Sequence, residues 1–198
     1  ATYTVNHKGE KVAKVELSIP GMHNVYNSLS AFALATCYGV DTDAIVKGIK
    51  NFTGTDRRFQ FKGQFNGVNV IDDYAHHPTE IQATINSARG TKLNKLWIMF
   101  QPHTYTRTYN HLDDFAKVLS EADHVILLDI YASREKDTGL VSSKDLRDKI
   151  EALGGVVTYC PTFNDAEKYA VDNCRKGDML ITMGAGDVYK IGEKLVRQ

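Results

Sequence analysis

From Leu96 to the carboxy terminus, short apolar runs alternate with helix-length segments, and that alternation leaves few folds open. Strands are expected at Leu96–Phe100, His124–Leu128, Val156–Tyr159 and Met179–Met183. Helices are expected at about Pro78–Arg89, Thr108–Ala122, Ser143–Leu153, Asn164–Cys174 and Asp187–Val196. Such a chain forms a mostly parallel sheet with crossover helices on both faces. Ahead of it, Phe59–Phe65 and Val68–Ile71 flank Asn66-Gly67, a strong hairpin signal that supplies one antiparallel strand. The expected fold is α/β, a Rossmann-like, mostly parallel sheet of about six strands with one of them antiparallel.

The first 54 residues have a different character. Tyr3–Val5 and Val12–Ile19 alternate apolar and polar residues around His7-Lys8-Gly9-Glu10, which predicts a hairpin. A helix is expected over His23–Tyr38, with Val25, Leu29, Phe32, Ala33 and Thr36 on its buried face and Leu34 and Cys37 extending burial to the flanks. Asp41 is placed to cap a shorter helix carrying Ile45, Val46 and Ile49. Thr53-Gly54-Thr55 then marks a boundary. Residues 1–54 therefore read as the tail of one domain, and 55–198 as a complete second one. The chain starts at Ala1, directly in strand-like residues and without an initiator Met, so it is expected to be a piece of something longer.

With 24 basic and 24 acidic residues and no long run of either sign, there is no electrostatic footprint for nucleic acid or a membrane surface. Any anionic ligand must be met by local groups. Cys37, Cys160 and Cys174 are widely spaced and form no disulfide or metal pattern, which points to a reducing, cytoplasmic setting. No apolar run approaches the roughly 18 residues of a membrane span.

The chemistry concentrates at strand-to-helix junctions. Asp72-Asp73-Tyr74-Ala75-His76-His77-Pro78-Thr79-Glu80 packs carboxylates and imidazoles together where a strand hands over to a helix. Phe100-Gln101-Pro102-His103-Thr104-Tyr105-Thr106-Arg107 follows the next strand, so His103 and Arg107 lie at the same sheet edge, where open α/β sheets bind ligands. Arg107 can grip a carboxylate while an imidazole orients it. Tyr131-Ala132-Ser133-Arg134-Glu135 is expected to form a further wall, and the glycines of Met183-Gly184-Ala185-Gly186-Asp187 to let a ligand approach the backbone. Arg57-Arg58-Phe59 offers a phosphate clamp or, more plainly, a solvated arginine pair. Asn24 and Asn27 share a helix face and can read a purine edge, or simply serve the helix start. Asp73, His76, His77 and His103 lack the spacing of a zinc site, so no metal is expected.

Five ordered blocks resemble the Mur ligase family of peptidoglycan synthesis: GMHNVYN, RRF, IDDYAHHPTEI, FQPHTYTRT and MGAGDVYKIG. DDYAHHP with QPHTYTRT is most similar to the branch that joins L-alanine to UDP-N-acetylmuramate. A tripeptide-attaching relative shares only the first of these two blocks, and a stand-alone nucleotide or amino-acid binding module is the remaining alternative. The resemblance implies that residues 1–54 end a central ATPase domain and that 55–198 form the carboxy-terminal amino-acid-binding domain. It implies phosphorylation of the muramyl carboxylate by ATP with Mg2+, then attack by L-alanine on the acyl phosphate. His23, Asn24 and Asn27 would face adenine, Asp73 the ribose and Arg58 the phosphates. His76, His77, His103 and Arg107 would serve the amino acid. Relatives often carry Arg where this chain has Thr104, so a second clamp is not expected. The sequence contains no G-x-x-G-K-[ST] phosphate loop and no following Mg2+ ligands, so no catalytic set is complete and these residues alone are expected to be inactive.

Overall fold

The computed structural model describes residues 1–197, which divide into two compact units, Ala1–Thr55 and a second beginning at Asp56. In the first unit, strands β1 (Thr2–His7) and β2 (Glu10–Glu16) form an antiparallel hairpin, followed by helices α1 (Met22–Cys37) and α2 (Thr42–Asn51). Val5, Ala13, Val15, Phe32 and Ile45 make its core. Asp41 caps α2 as expected, its carboxylate accepting from the N–H groups of Asp43 and Ala44.

The buried face of α1 differs from expectation. Only Phe32 is fully buried, and Ala35 packs beside it, whereas Leu29 (40%), Leu34 (62%) and Cys37 stay exposed. The reason is supply: a two-stranded hairpin and one short helix can cover a single narrow stripe of α1, so the rest of its apolar surface has no neighbour within this unit.

The second unit holds a six-stranded sheet of order β3-β4-β8-β5-β6-β7. Its strands are β3 (Gln60–Phe65), β4 (Val68–Asp73), β5 (Leu96–Phe100), β6 (His124–Leu127), β7 (Val157–Tyr159) and β8 (Met179–Met183). Only the β3–β4 hairpin is antiparallel. Helices α3 (Pro78–Arg89), α4 (Tyr105–Asn110), α5 (Leu112–Leu119), α6 (Ser143–Ala152), α7 (Phe163–Asn173) and α8 (Tyr189–Leu195) complete it.

Alternation along each strand sorts side chains to two cores. Leu96, Ile98 and Phe100 of β5 join Ile181 of β8 and Ile81, Phe115 and Leu146 of α3, α5 and α6. Trp97 and Met99 join Leu180, Ala166, Ala170 and Ile191 on the face covered by α7 and α8. Because both faces are covered, β5 and β8 are buried at every residue. The loops after β5 and β8 lead to helices on opposite faces, so their carboxyl ends form the crevice where such sheets bind ligands.

Two boundaries correct the sequence reading. β4 extends through Asp72 and Asp73, which pair with Thr182 and Met183 of β8, so these carboxylates belong to the sheet rather than a loop. The helix expected over Thr108–Ala122 starts earlier, at Tyr105, and is broken at His111 (φ −119°, ψ 22°), which ends α4 and opens α5. Arg107 therefore sits in the first turn of a helix, not in a loop.

At the opposite sheet edge, His124 stacks on Trp97 with centroids 4.5 Å apart, and its Nε2 lies 2.9 Å from Thr158 Oγ1. Burial pushes its pKa below the usual 6.5, with the Lys95 charge adding to the effect. The unfolded chain then binds the proton first, so stability present above pH 6.5 is lost as pH falls toward the folded value. We expect His124→Gln to be less stable at pH 7.5 but to lose less between pH 7.5 and 5 than the parent, read by urea denaturation. Equal losses would remove His124 from the account. Among the described residues, no helix is long and apolar enough to cross a membrane.

Candidate functional site

The carboxyl ends of β4, β8, β5 and β6 are stitched by their backbones. Gly184 N–H donates to Asp73 O, Gln101 N–H to Met183 O, Leu128 N–H to Phe100 O, and Tyr131 N–H to Pro102 O. Gly184 has φ 144°, and a Cβ there would stand 2.6 Å from Gln101 O. This glycine thus allows a close approach of the chain's own backbone.

The two arginines after the unit boundary take opposite roles. Arg57, at φ 58°, folds inward. Its Nε donates to Asp72 Oδ2 at 2.9 Å, its Nη2 to Gly184 O at 2.7 Å, and its guanidinium lies over the Tyr74 and Tyr189 rings. Asp72 is 1% exposed and also accepts from Thr182 Oγ1. Arg58 faces outward, with 53% of its side chain exposed and its Nη1 a loose 3.9 Å from Glu80. The sequence singled out the pair but gave no signal for the role of Arg57 as the sheet's anchor.

Asp73 is 5% exposed. Oδ2 accepts from Phe59 N–H and Oδ1 from Ala75 N–H, and burial outweighs these contacts to raise its pKa. A carboxylate has acceptor capacity beyond these two donors, but its access to a ligand is restricted. What the geometry assigns to Asp73 is pinning the chain on either side of β4.

The two adjacent histidines diverge. His77 is the N-cap of α3, its Nδ1 facing Thr79 N–H and Oγ1, and its ring meets His111 with centroids 4.7 Å apart. Glu80 completes the cap by accepting from the N–H groups of His76 and His77. Its Nδ1 is thereby engaged in capping, a role the sequence reading did not assign to it. The signal was present as a capping-box spacing, His77 to Glu80, but histidine is an uncommon cap and hid it.

His76 turns the other way, toward His103, with centroids 5.9 Å apart. Its Nδ1 lies 2.9 Å from Tyr74 O. A carbonyl only accepts, so Nδ1 carries the proton, and Nε2 of the neutral ring is left as an acceptor. His103 has the opposite tautomer: Arg107 Nη1 approaches its Nδ1 at 3.1 Å. A guanidinium only donates, so Nδ1 is the acceptor and Nε2–H a donor. Burial, then the neighbouring Arg107 guanidinium, lower the His103 pKa below its usual value and favour the neutral ring. The site therefore presents a guanidinium and a donor imidazole facing an acceptor imidazole, which suits the carboxylate and amine ends of an amino acid.

Thr104 caps α4 at φ 66°, a strained conformation for a β-branched residue, held by its N–H to Tyr131 O and by Thr108, which donates from N–H and Oγ1 to Thr104 O. Tyr131 stacks on His103 with ring centroids 5.6 Å apart. Among the described residues no group of three His, Cys, Asp or Glu is disposed to hold a metal.

In the first unit, Asn24 Nδ2 donates to Pro20 O at 2.6 Å, so one of its donors serves the helix start. Asn27 is exposed, with its Nδ2 3.5 Å from Asn24 Oδ1, and His23 is exposed beside them.

The comparisons with known proteins agree with this arrangement. The family model described as Mur ligase, glutamate ligase domain, matches residues 57–186. The UDP-N-acetylmuramate–L-alanine ligase of Lachnospira eligens is 54% identical over 196 residues, covering 99% of this chain and 43% of the relative. That of Caldanaerobacter subterraneus is 46% identical, covering 100% and 43%. The solved structure of UDP-N-acetylmuramate-alanine ligase MurC from Thermotoga maritima superposes with a TM-score of 0.83 at 28% identity, over 99% of this chain and 42% of that one. The chain thus spans less than half the length of these relatives. With the matched region enclosing the stitched sheet edge and its histidine and arginine groups, the chain belongs to the Mur ligase family.

Proposed function

We propose that this chain is the carboxy-terminal part of an ATP-dependent, cytoplasmic ligase that joins L-alanine to UDP-N-acetylmuramate in peptidoglycan synthesis. Its second unit would supply the amino-acid site. The observation that carries this reading is the pairing of His103 with Arg107 at 3.1 Å, facing His76, at the carboxyl edge of a doubly wound sheet. The share of the relatives' length covered, about 43%, supports a part rather than a whole.

In this reading Arg107 and His103 Nε2–H hold the carboxylate of L-alanine by charge-assisted hydrogen bonds. His76 Nε2 accepts from the amine, orienting its lone pair and taking up its proton as the amide bond forms. The rate gain is one of orientation, since both reactants are held by fixed groups. ATP, when bound, supplies the phosphoryl group that activates the muramyl carboxylate.

The nucleotide groups fit unevenly. In the first unit Asn24, Asn27 and His23 would face adenine, although Asn24 Nδ2 already donates to Pro20 O and Asn27 Nδ2 lies 3.5 Å from Asn24 Oδ1; in the second unit the exposed Arg58 guanidinium would meet a phosphate. Asp73 fits a ribose contact poorly because it is buried and engaged. Among the described residues no group of three His, Cys, Asp or Glu could hold a metal, and no step here is assigned to Mg2+. On this reading the apolar residues of α1 that this unit leaves exposed, Leu29 and Leu34, are covered by the rest of the relatives' length.

The test is phosphate release from ATP with UDP-N-acetylmuramate and L-alanine. The full-length protein carrying this chain is expected to release phosphate only when both substrates are present, and the 198 residues alone to release none. Ligation by the 198 residues would overturn the partition of roles.

A further inference from the structure

Gln101 leaves β5 at the crevice with β8 and is 7% exposed. Its Oε1 is the one buried side-chain polar atom among the described residues that meets no hydrogen-bond donor. Native chains seldom carry such an atom without a use for it.

The surroundings of Oε1 are specific. Gly186 does not have a positive φ, so its backbone does not call for glycine. Space does: a Cβ there would stand 2.7 Å from Gln101 Oε1 and 2.9 Å from Tyr131 Cγ. Tyr131 stacks on His103, and His103 accepts from Arg107. The orphan acceptor, the small clearance, the aromatic wall and the carboxylate grip are thus successive neighbours along one edge.

The carboxylates near this edge are committed. Asp72 serves Arg57 and Thr182, Asp73 serves Phe59 and Ala75, Glu135 serves Thr106, and Asp129 serves Tyr159. A donor arriving here therefore finds the Gln101 oxygen as well as His76 Nε2. We propose that the Gln101 carboxamide belongs to the amino-acid site, its Oε1 accepting a hydrogen bond from the α-ammonium of the amino acid whose carboxylate rests on Arg107 and His103. This rests on the amino-acid reading above.

The chemistry favours an amide over an acid at this place. A carboxylate beside an ammonium stabilises its charged form and raises its pKa. Attack needs the neutral amine. A neutral amide oxygen fixes the direction of the nitrogen while holding its proton less firmly, so the proton can pass to His76.

The test compares L-alanine with propionate, which has the carboxylate and lacks the ammonium, by ligand-observed NMR on the 198-residue chain. Gln101→Leu is expected to weaken L-alanine binding about tenfold and propionate binding less than about twofold, the loss of one hydrogen bond to a charged group. Gln101→Glu, which keeps an acceptor and serves if the leucine variant does not fold, is expected to retain L-alanine and weaken propionate. Arg107→Met is expected to weaken both ligands. Should the Gln101 variants change both ligands equally or neither, while Arg107→Met still weakens both, Gln101 is a structural group and the proposal falls alone. If the parent chain binds neither ligand, the amino-acid reading falls and takes the proposal with it.

Discussion

Replacing Arg57 with alanine is expected to destabilise the second unit by about 3–5 kcal/mol, the range for removing one partner of a buried ion pair. Asp72, 1% exposed, would keep its contact with Thr182 but lose the guanidinium it is paired with. Gly184 O would lose a donor, and the Tyr74 and Tyr189 rings the cation packed between them. Most of the cost comes from stranding a charge in a low-dielectric site, not from the worth of the pair itself. Arg58→Ala is the control, since an exposed arginine with a 3.9 Å ion pair should change stability by no more than about 0.5 kcal/mol. Urea unfolding of the two variants reads the difference. Equal losses would mean that the inward and outward roles are wrongly assigned.

Arg107→Ala is expected to lower kcat/KM for L-alanine in the full-length protein, on the proposed ligase function, by about 30-fold to 5,000-fold, corresponding to about 2–5 kcal/mol for truncating one partner of a buried charge pair. Arg107→Lys should fall between, because it keeps the charge and loses the planar fork. The substitution also has a signature separate from catalysis. Burial is the first cause of the low His103 pKa and the Arg107 charge the second, so removing Arg107 should move the His103 titration upward. NMR titration of the His103 ring reads this directly. An unchanged His103 pKa together with unchanged kinetics would detach Arg107 from the site.

Much of the fold was readable because its signals were local and strong. β8 and α3 fall at their expected residues, Met179–Met183 and Pro78–Arg89, since one is a short apolar run after a glycine turn and the other opens with proline. The misses have tertiary causes. β4 runs two residues beyond its apolar stretch because Arg57 and backbone N–H groups receive Asp72 and Asp73, which no strand propensity anticipates. The break at His111 carries neither glycine nor proline. Which residues of α1 are covered depends on what packs against it, and the helical period alone could not choose between Leu29 and Ala35.

The candidate site was legible as a place more than as a set of contacts. His76, His103 and Arg107 meet at one edge because their loops follow β4 and β5, the two strands that flank β8, and that much follows from topology. Three details did not: the inward turn of Arg57, set by its φ of 58°; the capping duty of His77; and the burial of Gln101 against Gly186. Each depends on a backbone angle or a neighbour from a distant strand.

The central claim is that the second unit binds an amino acid between the loops after β4 and β5. Its most direct test is a titration of the isotope-labelled chain with L-alanine, followed by 1H–15N and histidine-ring spectra. The account predicts shifts confined to His76, residues 101–107, Tyr131 and residues 184–186, abolished by Arg107→Ala. Shifts centred elsewhere, or shifts that survive Arg107→Ala unchanged, would contradict it.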